Sequence, residues 1–175
     1  NISSAHAKLK AVLNKTVLKT FTPYTFSVIY LCLAVPVFIV MQFYVDSSDM
    51  IAYVILSENY FKYGLFSEAN SHWSPLISLL LIPFKLFFKN HFTAFHFLQL
   101  LIGLFCTLQC SNWLKKCNLS PSLFLIAQLI FSILIIYYGQ LWGTPDLLFL
   151  TILLYGLYLF SYKKYDTALL TGLAF

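Results

Sequence analysis

The sequence predicts an all-α fold, a polytopic transmembrane helical bundle, and three observations carry that expectation. Apolar residues make up 60% of the 175-residue chain and charged residues 10%, where a soluble domain of this size carries about 25% charged residues. Mean hydropathy is +0.80. Most of the eleven basic residues, all of them lysines, fall into three clusters separated by apolar stretches: Lys8/Lys10/Lys15/Lys19, Lys115/Lys116 and Lys163/Lys164. Asp46, Asp49, Glu58, Glu68 and Asp146 lie in the polar segments between those clusters.

The elements follow in order. Residues 1–20 form a mildly amphipathic basic segment expected on the cytoplasmic surface, ahead of a membrane module over 21–175. Residues 24–45 are apolar and long enough to cross about 30 Å of hydrocarbon. Pro36 lies inside that span, where membrane helices tolerate it with a kink, and Tyr44 marks the far interface. The span is too long for a signal-peptide core, so it reads as an uncleaved signal anchor. Residues 49–63 read as a helix with charge at both ends, stopped by Gly64. Ser74-Pro75 opens a second short helix over 75–88, interrupted by Pro83 and Lys85. A run of that length is interfacial or re-entrant more often than spanning. Further spans are expected at 92–114, 119–138 and 145–162, with another beginning at 167 and cut off at 175. Starting at Asn1 and stopping within an apolar run, the chain reads as a fragment of a longer polytopic protein.

Parity decides the topology. If 75–88 does not cross, the amino terminus, Lys115/Lys116 and Lys163/Lys164 all fall on the cytoplasmic side, as the positive-inside rule prefers. If it crosses, both lysine pairs move outside. The expected arrangement is therefore one long external loop with two juxtamembrane helices, 49–63 and 75–88. Tyr137, Tyr138 and Trp142 would form an external aromatic belt.

Several function classes are disfavoured. The net charge of +5 comes from lysines at helix ends, which suits anionic lipid better than nucleic acid. There is no arginine to grip phosphate bidentately. Cys32, Cys106, Cys110 and Cys117 lie in apolar spans or beside cytoplasmic lysines, so neither a disulfide framework nor a metal site is expected.

Two acidic constellations could carry chemistry. Asp46-Ser47-Ser48-Asp49 stands at the external end of the first span, where a carboxylate could take a proton from an acceptor hydroxyl or hold a divalent cation. The same spacing also suits a cap, with Asp49, Ser47 or Ser48 satisfying the following helix. Thr144-Pro145-Asp146 has the form of an ordinary helix start, with Thr144 as cap, yet it lies on the same side as Asp49. Glu58 is expected to pair with Lys62, one turn on. His72 and Trp73 could contact a sugar or a metal, Tyr53 shares Asp49's helix face and could orient it, and His91 and His96 read as interface residues.

Asp49-Met-Ile-Ala-Tyr53, Gly64, and Asn70-Ser-His-Trp73-Ser-Pro75-Leu76 together resemble the first external loop of type-C glycosyltransferases. The likeness is greatest to the family 39 group of protein O-mannosyltransferase-like and aminoarabinose-transferase-like membrane enzymes. Thr144-Pro-Asp146-Leu-Leu and Thr171-Gly-Leu-Ala-Phe175 resemble that group's loop before the fourth span and its next helix, so the likeness covers residues 24–175. It implies an inverting transfer of a sugar from a polyprenyl-phosphate donor to a lipid, glycan or protein acceptor on the external face. It implies Asp49 as general base with Asp46 as runner-up and Asp146 as a second active-site carboxylate; Tyr53, His72 and Trp73 are expected beside them as substrate contacts. A further carboxylate of the family's first loop has no clear counterpart unless it is Glu58 or Glu68.

The expected setting is the inner, cytoplasmic membrane, multi-pass, with a cytoplasmic amino terminus, lipid-linked donor and bilayer as partners, and no nucleic acid. The competing reading is a non-enzymatic membrane protein, either a lipid-carrier flippase or transporter half, or an inactive relative serving as a subunit. Transporters place polar groups at the bilayer midplane on broken helices. Here the midplane is nearly free of ionisable residues and the acids gather at one face, which favours an interfacial enzyme.

Overall fold

A computed structural model describes residues 23–45, 47–64, 75–117 and 119–161, and among them every regular element is helical. The basic segment 1–20, Asp46, Glu68, His72, Trp73, Lys163/Lys164 and the span expected from 167 lie outside the described residues. The helices are α1 (Pro23–Met41), α2 (Ser48–Tyr63), α3 (Pro75–Lys85), α4 (His91–Leu114), α5 (Pro121–Ile136) and α6 (Asp146–Ser161). A short 3-10 turn, Lys115–Cys117, extends α4, and a π-turn, Tyr137–Leu141, extends α5. Three helical stretches are long and apolar enough to cross a membrane: Tyr24–Met41, His91–Cys117 and Pro121–Leu141. Pro75–Lys85 and Asp146–Ser161 are apolar but shorter.

α4 is the axis. It packs against each of the other helices, and its buried positions include Ala94, Gly103, Cys106, Thr107, Cys110 and Ser111. Small residues let neighbouring backbones approach closely where lipid supplies no hydrophobic drive between helices. Along α1 the buried stripe Phe26, Tyr30 and Ala34 recurs every four residues, while Val28, Leu33 and Ile39 face outward. Tyr30 donates to the Leu100 carbonyl at 3.2 Å. It can reach there because Gly103 has no side chain: a Cβ at that position would stand 2.1 Å from the phenol oxygen. All four cysteines are free.

α1, α4, α5 and α6 alternate in direction along the chain, which gives the bundle two chemically different ends. At one, Lys116 bonds to Ser161 and sits 5.0 Å from the Tyr158 ring centre, joining the end of α4 to the end of α6. Phe26 meets Phe124 edge-on at 5.2 Å, joining the starts of α1 and α5. This is the lysine end. At the other, Thr93 donates to Gln42 O at 2.9 Å and His96 donates from Nε2 to Tyr44 O at 3.1 Å, fastening the end of α1 to the start of α4. Asp49 and Asp146 belong to this acidic end, as do the exposed rings of Tyr137, Tyr138 and Trp142.

α2 touches the acidic end at two places. Met50 Cβ would lie 3.7 Å from a Cβ on Gly143, between α5 and α6, and Glu58 meets His91, the first residue of α4. At about 1.5 Å per residue those contacts are about 12 Å apart along the helix, so α2 lies across the helix ends and does not run down beside them. α3, eleven residues long, is about 16 Å in length, roughly half of a hydrocarbon core. Its end is held by Phe84 and, in the following turn, Phe88, whose rings lie 5.7 and 5.1 Å from that of Phe97 on α4.

Candidate functional site

The site is built from two helix starts facing each other at the acidic end. Ser47 caps α2, accepting from Met50 N at 3.1 Å. The cap is therefore the serine, one of the three residues the sequence offered for it. Asp49 sits in the first helical turn, half-buried, and accepts a long hydrogen bond from Ser48 Oγ at 3.4 Å. A carboxylate in a first turn also complements the positive end of the helix dipole.

The second helix start differs from the sequence expectation. Thr144 does not cap α6 with its side chain: Oγ1 is buried without a hydrogen-bond partner. The first acceptor of the helix is the Pro145 carbonyl, bonded by Leu148 N at 2.9 Å. Thr144 faces the bundle because Gln99 on α4 takes its carbonyl, at 3.0 Å. Gly143 makes the preceding turn at φ +55°, in the left-handed region, with the Phe95 ring 3.4 Å from where a side chain would begin. A β-carbon would be strained there and crowded. The turn delivers Asp146 to the surface, exposed, as the first residue of α6.

Tyr53 lies beside Asp49 on the same helix and within the electrostatic influence of Asp146. It follows Asp49 by one turn of α2, is 2% exposed, and belongs to the central apolar cluster. Burial raises its pKa first, and the negative charges of Asp49 and Asp146 raise it further, to about 12. Its hydroxyl therefore stays protonated and can act as a hydrogen-bond donor between two anionic groups. Asp146 also borders a groove of about 380 Å³ between α5 and α6, walled by Phe131, Leu134, Tyr138, Leu147 and Leu150. Of the sequence-expected site residues, Asp49, Tyr53 and Asp146 lie at the same end of the bundle; Asp46, His72 and Trp73 fall outside the described residues.

Glu58 requires a correction. Its partner is not Lys62, which is exposed. The carboxylate is 2.5 Å from His91 Nδ1 and 3.5 Å from Lys85 Nζ, because the corner between α3 and α4 carries both donors to the middle of α2. Lys85 also donates to Ser57 Oγ at 3.0 Å. Burial alone would raise the Glu58 pKa, but the hydrogen bond from His91 and the Lys85 charge outweigh it and hold the carboxyl below its ordinary value. His91 is thus one partner in the Glu58 clasp at the start of α4, and His96 is wholly buried.

Sequence reasoning missed the polar floor beneath the site. Gln99 and Gln140 are fully buried, and Gln140 donates to His96 O at 3.0 Å. The signal was present, since uncharged amides in apolar spans are expensive unless they are bonded. Among the described residues no group of three or more His, Cys, Asp or Glu gathers to hold a metal ion. The described carboxylates at this end that could join in such a site are Asp49 and Asp146. Comparison with protein-family models, curated proteins and solved structures finds no match for the chain.

Proposed function

We propose that the chain is the amino-terminal membrane module of a glycosyltransferase that moves a sugar from a polyprenyl-phosphate donor to an acceptor at the acidic end of the bundle. The observation that carries this reading is that Asp49 and Asp146 open two helices at one end of the bundle, brought near each other by the close approach of Met50 to the Gly143 turn, opposite Lys115 and Lys116. The resemblance of the Asp49, Tyr53 and Asp146 segments to type-C enzymes supplies the reaction class.

In the proposed reaction Asp49 takes the proton of the acceptor hydroxyl or amine as the acceptor attacks the anomeric carbon. The bond from that carbon to the phosphate oxygen breaks, polyprenyl phosphate leaves, and the configuration inverts. Tyr53 and the start of α2 hold the Asp49 carboxylate in place. The groove beside Asp146, open between two apolar helices, suits an isoprenoid tail whose head group remains at the interface. A divalent cation at Asp49 and Asp146 would take oxygen ligands from the donor phosphate as well. The lysine end would face the cytoplasm of an inner membrane.

The test is transfer by the full-length protein carrying Asp49→Asn, assayed with lipid-linked sugar. The substitution keeps shape and removes the base, so transfer should fall at least about 100-fold while membrane insertion and melting temperature stay near wild type. Unchanged transfer would eliminate Asp49 as the base.

A further inference from the structure

Beneath the turn that carries Asp146 lies a layer of buried polar side chains that the proposed chemistry does not use. Gln99 on α4 and Gln140 in the π-turn are each 0% exposed. Each commits its amide nitrogen to a main-chain oxygen, Gln99 to Thr144 O and Gln140 to His96 O, both at 3.0 Å. What remains is three buried oxygens without a hydrogen-bond partner: Gln99 Oε1, Gln140 Oε1 and Thr144 Oγ1.

These three belong to one neighbourhood. Gln99 is bonded to residue 144, and a Cβ on Gly139, the residue before Gln140, would stand 3.9 Å from the Gln99 Cβ. His96, to which Gln140 is bonded, precedes Gln99 by one turn of α4. Turning either amide about would not help, because its oxygen would then face a carbonyl oxygen. Leaving buried acceptors without donors is costly in a membrane bundle, where no bulk water can reach them.

The hydrogen-bond inventory selects the missing group. Two amide oxygens can only accept, while the threonine hydroxyl can donate. A single water molecule closes the set: it gives its two hydrogens to Gln99 and Gln140 and accepts the hydroxyl hydrogen of Thr144. All three protein groups are uncharged, which matches a neutral ligand and lacks the carboxylates a divalent cation would need.

We propose that an ordered water molecule is bound between α4, the π-turn and the Gly143–Thr144 turn, through Gln99, Gln140 and Thr144. It completes the bonding that fixes the turn from which α6 and Asp146 start. The π-turn serves this site by turning Gln140 inward, and the inference stands whatever reaction the acidic end performs.

The experiment is electron cryomicroscopy of the full-length protein in lipid nanodiscs, at a resolution that shows ordered water, for wild type, Thr144→Ser and Thr144→Val. Wild type and Thr144→Ser should show one density within about 3.2 Å of the three oxygens. Thr144→Val, equal in shape but without the donor, should lose the density and melt at a lower temperature than Thr144→Ser. The wild-type map is decisive even if the valine variant does not fold. No density in wild type, or density that persists in Thr144→Val, would overturn the proposal. So would five or six contacts at about 2.4 Å, which mark a bound metal ion.

Discussion

Glu58 and His91, 33 positions apart in sequence, meet at 2.5 Å and tie the middle of α2 to the first residue of α4. With Lys85 at 3.5 Å from the same carboxylate, three successive helices share one anion. Lys85 is the less exposed partner, its side chain 10% accessible. Replacing Glu58 by Gln leaves that ammonium without its counter-charge and should destabilise the protein by about 2 kcal/mol. Thermal unfolding in detergent measures it, and an unchanged midpoint would mean that the clasp contributes nothing.

The same carboxylate gives stability a pH dependence of defined sign. Its folded pKa lies below the ordinary value of about 4.3, held there by His91 and Lys85 against the opposing effect of burial. The stabilisation is therefore complete above about pH 4.3 and is lost as pH falls through the folded pKa. Wild-type melting temperature should drop across that acid range, and Glu58→Gln should flatten the drop.

Gly103→Ala tests the α1–α4 contact. The added methyl would fall 2.1 Å from the Tyr30 hydroxyl and 2.8 Å from Ile135 Cγ2, an overpacking expected to cost about 1–3 kcal/mol. Combining it with Tyr30→Phe removes the nearer obstacle, so the double variant should recover part of the loss. Strict additivity of the two single effects would show that they do not meet.

Side-specific labelling tests the placement of the two carboxylates. Cys117, exposed at the lysine end, and Cys32, exposed on α1, must first be replaced. In that background, cysteines introduced at Asp49 and Asp146 should react with an impermeant thiol reagent from one side, and a cysteine at Lys116 from the other. Reaction of positions 49 and 146 from opposite sides would remove the shared site.

Asp146→Asn should lower transfer about 10-fold or more in the full-length protein, given its charge at the same phenol as Asp49. Gly143→Ala should also lower it, because strain at φ +55° moves the start of α6. Its stability cost is about 1–2 kcal/mol, read by melting. Wild-type transfer by Asp146→Asn would leave that carboxylate without a role.

The helices were legible because each is a long apolar run with a chemical stop. The run read as 49–63 is Ser48–Tyr63, closed by Gly64, and that read as 119–138 is Pro121–Ile136 with its π-turn. Placing Lys115/Lys116 at the end opposite Asp49 and Asp146 required only their spacing from the apolar runs on either side. The partners of Glu58 were not legible. Lys62 is the nearest lysine in sequence, and only the corner after Pro83 brings Lys85 and His91 closer in space. The π-turn was equally hidden, because no local residue pattern distinguishes Tyr137–Leu141 from one more α-turn. Without it the inward direction of Gln140 could not be placed, although amides within apolar runs already signalled buried polar partners.

The amide-bearing, most enclosed helix has a consequence for how the protein is made. α4 carries His96, Gln99, Thr107 and Ser111 on faces that end up among other helices, whereas α1 and α5 turn many aliphatic side chains outward. Left alone in lipid at the moment of synthesis, α4 is the poorest of the three at partitioning from the translocon. It needs the neighbours that shield its polar groups, so its insertion is expected to depend on α5, and a lesion in α5 should surface as failed insertion of the helix before it.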